Sequence, residues 1–200
     1  KHHELLFTEN DLINNLSPAL NSMDQPTIDG INTYIISLAA RNIGLKVALS
    51  GIGGDELFAG YDSFTLVPRL LRVNKALNII PLGLRKQFSH IASKFLAASD
   101  RNTKLYHLLR DQHNGAHVYF LIRSLFCEEE LKLLFSNHFI FENEIKKNLD
   151  FSQELLDSHS ELSPLNLVSY LEMTQYMATT LLRDADTMSM AHGLEIRVPL

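Results

Sequence analysis

Lys46-Val47-Ala48-Leu49-Ser50-Gly51-Ile52-Gly53-Gly54-Asp55-Glu56-Leu57-Phe58-Ala59-Gly60-Tyr61 is the densest stretch of a 200-residue chain. Lys46 to Leu49 is a short, mostly apolar run ending in Ser50-Gly51, the pattern of a buried parallel strand feeding a loop. Three glycines between Gly51 and Gly54 let the backbone turn tightly and bring its N–H groups close to a ligand. A helix is expected from Asp55. In open α/β sheets ligands bind at the carboxyl ends of strands, which is where this loop stands. Two nucleotide fingerprints do not fit: the dinucleotide motif needs glycine where Glu56 stands, and the P-loop needs a Lys-Ser/Thr pair that is absent. An acidic pair beside a glycine loop repels bare phosphate. A Mg²⁺ ion reconciles the two, because it takes one or two carboxylates together with phosphate oxygens. The same residues also have a purely structural reading, with Asp55 as an N-cap and Gly53-Gly54 as a tight turn.

Outward from this loop, most of the chain reads helical. Asp11 to Leu20 and Ile28 to Asn42 carry apolar residues at three- and four-residue spacing, and Gly44 stops the second run. Glu128-Glu129-Glu130 puts acids at the start of a helix through Leu131, Leu134 and Phe135, opposing its macrodipole. Ser163-Pro164 is an N-cap followed by proline at the first helical position. The helix that follows is expected to gather Leu167, Val168, Leu171, Ala178, Leu181 and Leu182 on one side. One to three short strands are expected, Lys46 to Leu49 first among them. The fold class is therefore α/β and helix-dominated.

Composition narrows the function. Apolar residues make up 46% and charged residues 20%, which is enough to bury a core. Eighteen basic against 23 acidic side chains, a net charge of −5, argue against nucleic acid as a partner. Residues 68–104 hold eight Lys or Arg against one Asp, and 141–161 hold six acids against two Lys. Both read as solvated helix faces. No apolar run approaches the roughly 18 residues of a membrane span. The single cysteine, Cys127, makes no internal disulfide, so a reducing, cytoplasmic setting fits, and it reads as a small core residue. Neither end has the polar composition of a natural terminus, so the chain is expected to be an internal piece of a longer protein.

Two motifs together carry a resemblance. Ser50 to Tyr61 is similar to the S-G-x-G-G-D-E-L-F-x-G-Y signature of the synthetase domain of glutamine-hydrolysing asparagine synthetases. Leu181 to Pro199 resembles that family's second block, a basic-Asp-x-x-S-M-A-x-x-L-E-x-R-x-P pattern that helps wall the site. His2-His3-Glu4, Asp24, Pro26, Asp29 and Tyr34 match further family positions. The resemblance implies that residues 1–200 are a partial synthetase domain, part of a parallel-sheet fold of the adenine-nucleotide hydrolase (ATP pyrophosphatase) type. It implies a ligase that adenylates the side chain of aspartate with MgATP, losing pyrophosphate, after which ammonia derived from glutamine displaces AMP to give asparagine. By analogy Ser50, Gly51, Gly53 and Gly54 lie along the nucleotide and Asp55 binds Mg²⁺. Glu56 lies in the substrate or metal shell, and Glu195 and Arg197 orient the loop and the substrate side of the pocket.

The chain also departs from the family. Ile52 stands where Glu or Asp is common, Asp184 where a basic residue is common, and Gln25 where Glu is common. The S-G-G-x-D-S pyrophosphate loop and a glutaminase domain with its N-terminal cysteine are not within these 200 residues. Two alternatives stay open: a β-lactam-synthetase-like relative adenylating another carboxylate, and a non-catalytic helical module that binds a partner protein. Absent sheet strands would leave an edge and apolar helix faces uncovered, favouring self-association into a homo-oligomer.

Overall fold

The computed structural model describes residues 2–4, 6–27, 29–77, 79–81, 83–84, 87, 115–126, 128–134, 151, 154–155, 158 and 161–199. The expectations for Cys127, for Phe135, and for the charged faces over 88–104 and 141–150 fall outside these residues. Contacts divide the chain into two units, 1–60 with 172–200, and 61–171.

In the first unit, α1 (Glu9–Ser22) starts two residues before the expected Asp11 because Thr8 supplies its cap. The Asp11 N–H donates to Thr8 Oγ1 (3.3 Å) and the Thr8 N–H donates to the Asp11 carboxylate (2.8 Å), a reciprocal capping box. The Thr8 side chain and then its backbone hold the Asp11 carboxyl below the usual carboxylate range. Helix α2 (Gly30–Asn42) ends ahead of Gly44, whose φ of 89° turns the chain away. Strand β1 (Val47–Leu49) follows, then α3 (Gly54–Phe58). Near the end of the chain, helical backbone widens into a π-helix over Glu172–Leu181, returns to α8 (Leu182–Met190), and gives way to β2 (Glu195–Arg197).

The two strands pair in parallel: Val47 opposite Glu195, Ala48 opposite Ile196, Leu49 opposite Arg197. One expectation needs correcting here. The strand is parallel as read, but it is not buried: Val47 is 42% and Leu49 79% exposed. The pleat turns both to the face opposite Ala48, and among the described residues that face is left open. The core of this unit joins α1, α2 and α8 through Ala19, Tyr34 and Met188, with Met23, Ile31 and Ile35 packed around them.

The second unit holds α4 (Ser63–Leu77), α5 (Gly115–Arg123), α6 (Glu128–Leu134) and α7 (Pro164–Leu171). Phe64, Val67, Val118, Tyr119, Leu167, Val168 and Leu171 form its core. The Tyr119 hydroxyl donates to the Leu171 carbonyl at 3.3 Å, so the buried phenol is satisfied. Arg123 lies 4.5 Å above the Tyr61 ring. Ser163 and Pro164 behave as read: Ser163 Oγ accepts from the Asn166 N–H at 3.2 Å and Pro164 opens α7. The helix expected from Glu128 is present as α6, and Leu134 at its end is 65% exposed. Ala178 leaves the expected apolar side and is exposed. The i→i+5 turns of the π-helix shift the phase of the stripe after Leu171. No described helix is long and apolar enough to cross a membrane.

Candidate functional site

The parallel pair sets the position of the glycine loop. The Glu195 N–H donates to the Lys46 carbonyl (2.9 Å) at one end of the ladder, and the Ser50 N–H donates to the Arg197 carbonyl (2.8 Å) at the other. The loop therefore leaves the carboxyl end of β1 tied to the backbone of the second motif. Ser50 Oγ accepts from the Ile52 N–H (3.3 Å), and the Gly54 N–H donates to the Gly51 carbonyl (3.2 Å) to close the turn. Gly53 takes a φ of 97°, a left-handed conformation that side chains with a Cβ resist. It is also the N-cap of α3, and the Leu57 N–H reaches back to its carbonyl at 3.2 Å.

The position of Asp55 removes one of its two readings. The cap of α3 is Gly53, with no side-chain capping bond, so Asp55 is not the N-cap. Its side chain is exposed and makes no hydrogen bond or ion pair among the described residues. It is confined all the same: Ala59 turns left-handed (φ 61°), and the Gly60 N–H returns to the Asp55 carbonyl at 2.9 Å. This folds Gly60 onto the Asp55 side chain so closely that a Cβ there would overlap the carboxylate. Glu56, next in sequence, points the other way and is only 1% exposed. The two acids of the motif thus face different surroundings.

Glu195 and Arg197 lie two residues apart on β2, hence on one face, and the Arg197 Nε–H donates to Glu195 Oε1 at 2.8 Å. Both are more than half exposed. The hydrogen bond and charge of Glu195 hold the Arg197 guanidinium still more firmly protonated. Arg197 meets the glycine loop through its main-chain carbonyl, and its guanidinium is spent on Glu195.

Behind the loop is a cavity of about 260 Å³ whose wall includes Ser50, Ile52, Thr33, Asp29, Ser37 and Asp184. Two of the departures from the family pattern, Ile52 and Asp184, thus line one space. Asp184 is 3% exposed and accepts from Thr27 Oγ1 at 2.5 Å. Burial pushes its carboxyl above the usual range, the Thr27 bond works against this, and Asp29 and Asp24 add to it. The segment holding these acids is laced to the π-helix and α8. Arg183 Nε–H donates to Asp24 (2.6 Å), Gln25 Nε2–H to the Thr179 carbonyl (3.0 Å), and the Tyr176 hydroxyl to Asp29 (3.4 Å). Ser37 Oγ is buried and has no hydrogen-bond partner among the described residues. Sequence reasoning did not single out Thr27, Thr33 or Ser37, and no local motif marks them. His192, at the end of α8, packs edge-on to Tyr34 with ring centres 4.2 Å apart. Burial lowers its pKa, partly opposed by a bond to the Tyr34 backbone.

The donor set suits some metals and not others. Among the described residues no group of three or more His, Cys, Asp or Glu could hold an ion, so a closed protein cage of the zinc type does not fit. A single unpaired carboxylate beside a glycine turn does suit Mg²⁺, which fills most of its shell with water and phosphate.

Comparison with known proteins agrees with the motifs. The family model for asparagine synthase matches residues 1–200. The glutamine-hydrolyzing asparagine synthetase 1 of Bacillus subtilis (strain 168) is 28% identical over 200 residues, 97% of this chain and 29% of the relative. Asparagine synthetase 2 of Lotus japonicus is 35% identical over 71 residues, and asparagine synthetase 3 of Arabidopsis thaliana 32% over 72. Each of these plant matches covers 34% of this chain and 12% of the relative. The chain thus spans less than a third of the length of the relatives it matches. No solved structure matches it. With the family matched from the first residue to the last, and both of its motifs joined across one parallel strand pair, the chain belongs to the asparagine synthase family.

Proposed function

We propose that these residues form part of the synthetase domain, adenine-nucleotide hydrolase-like in fold, of a cytoplasmic ATP-dependent amide synthetase. It adenylates the side-chain carboxylate of aspartate and transfers ammonia from glutamine to give asparagine. The observation that carries the reading is the glycine turn at the carboxyl end of β1, pinned to Arg197 and followed by an unpaired Asp55 carboxylate. The names of the relatives supply the substrate.

In the first step an aspartate carboxylate oxygen attacks the α-phosphorus of ATP and pyrophosphate leaves. In the second, ammonia attacks the acyl carbon, AMP departs with the bonding pair, and the nitrogen loses a proton. The backbone of Ser50, Gly51, Gly53 and Gly54 runs along the nucleotide, and Gly53 supplies the bend that keeps side chains out of its way. Asp55 would hold Mg²⁺, which when bound offsets phosphate charge. Glu56 backs the same turn from the buried side, within the metal or substrate shell. Glu195 and Arg197 fix the strand end from which the loop departs. The substrates are small molecules, and the reading calls for neither nucleic acid nor membrane.

The test is ATP–pyrophosphate exchange in the full-length protein with Asp55→Ala. Exchange should fall by orders of magnitude while the circular dichroism spectrum is kept. Near-normal exchange with an unchanged Mg²⁺ requirement would remove the metal role from Asp55.

A further inference from the structure

The second unit contains a groove of about 590 Å³ between α4 and the start of α7. Arg69, Arg72 and Lys75 line it at three-residue intervals along α4, covering about 9 Å at 1.5 Å per residue. All three are exposed, and among the described residues none of them has a hydrogen bond or ion pair and no acidic side chain lines the groove. On a chain of net charge −5 this is a local reversal of sign. The remaining wall is largely apolar: Phe64, Pro68 and Leu71 on α4, facing Pro164 and Leu165, the last 51% exposed.

A solvated basic face, the sequence-based expectation for these residues, explains the charges but not the half-exposed leucine set beside them. Bare phosphate would satisfy the cations and leave the apolar wall wet. Single-stranded nucleic acid needs open aromatic faces to stack on, and Phe64 is only 4% exposed. An amphipathic helix with carboxylates on one side of an apolar stripe answers both features, because guanidinium groups pair well with carboxylates and leucines seek an apolar groove.

We propose that this groove docks an acidic amphipathic segment of a partner polypeptide, with its carboxylates on Arg69, Arg72 and Lys75 and its apolar side chains against Leu165 and Leu71. The charges set orientation and encounter rate, and the apolar contacts set residence time.

The experiment is fluorescence anisotropy of the full-length protein with a short labelled helical peptide bearing Glu beside a Leu stripe. Saturable binding that weakens as salt rises is expected. The combined Arg69→Glu, Arg72→Glu and Lys75→Glu variant should weaken it more than about tenfold, and Leu165→Asp should weaken it too. The single variants Arg69→Gln and Arg72→Gln, at exposed sites, serve if the triple variant loses its helical spectrum. Absence of saturable binding, or indifference to both sets of charge variants, overturns the proposal. So does equal binding of a peptide with Lys in place of Glu. Full competition by inorganic pyrophosphate, or equal binding of the acidic peptide with Ser in place of Leu, would make the groove a simple anion site and overturn it as well.

Discussion

Replacing Gly60 with alanine tests the geometry around Asp55 without touching the carboxylate itself. A Cβ at position 60 would overlap the Asp55 carboxylate oxygen and stand 2.7 Å from Cγ and 2.9 Å from Cβ. The oxygen can swing away, but the Asp55 Cβ is fixed by the backbone of α3, so the turn at Ala59 must open as well. Overpacking of this kind costs about 1–3 kcal/mol. Stiffening the unfolded chain returns about 0.4–1 kcal/mol, leaving a net loss of roughly 0–2.6 kcal/mol. In a chain of this length each kcal/mol moves the midpoint by about 2–4 °C. Asp55→Ala removes the oxygen and Cγ from the clash and leaves only Cβ, so the loss from Gly60→Ala should shrink in that background, with a coupling of about 0.5–1.5 kcal/mol. Thermal and urea denaturation of the two single variants and the double variant, followed by circular dichroism, measures this. In the full-length protein Gly60→Ala should also lower pyrophosphate exchange and raise its Mg²⁺ requirement, since the carboxylate is displaced and not deleted. A stabilising Gly60→Ala, or the same effect with and without the Asp55 side chain, would refute the placement of this carboxylate.

Asp184→Asn should stabilise the chain at pH 7. The folded carboxyl is raised by burial and by Asp29 and Asp24, so the stability that Asp184 contributes is full below its ordinary value of 3.8 and is lost as pH rises through the folded value. Asparagine keeps an acceptor for Thr27, so its advantage should fade on acidification, and a lower melting temperature at pH 7 would contradict this. His192 has the opposite sign: its folded pKa is depressed from 6.5, so its contribution is present above 6.5 and is lost as pH falls through the folded value. His192→Gln should flatten that part of the stability profile, and an unchanged acid slope would count against the buried imidazole. Leu171→Ala, at a site with no exposed surface in the second core, should cost about 2–5 kcal/mol by urea denaturation, and a loss under about 1 kcal/mol would mean that core is loosely packed. Calorimetry with MgATP on the 200-residue chain should show weak binding or none, and sizing chromatography should show self-association through exposed residues such as Ile36, Leu49 and Phe58. Micromolar ATP binding by a monomer would place the whole nucleotide site within these residues.

Features governed by a few neighbouring residues could be read from the sequence. The strand–glycine turn–helix order around Ser50, the stop at Gly44 and the start at Ser163-Pro164 follow from backbone preferences over one turn, and the structure has all of them. The Glu195–Arg197 pair belongs with these, because a two-residue spacing on a strand puts both side chains on one face whatever surrounds it. Other features had no local sign. Thr27 meets Asp184 across 157 positions and Asp24 meets Arg183 across 159, so the charge environment of the cavity exists only once α2 and α8 have packed. The divergence of Asp55 and Glu56 depends on which side of a five-residue helix is covered, and the phase slip that exposes Ala178 depends on a π-helix that an α-periodic reading does not anticipate. The three cations of α4 read as a solvated face until α7 supplied the opposite wall of their groove. Backbone conformation is a property of adjacent residues, whereas burial and pairing are properties of surfaces that meet, and those surfaces come from opposite ends of this chain.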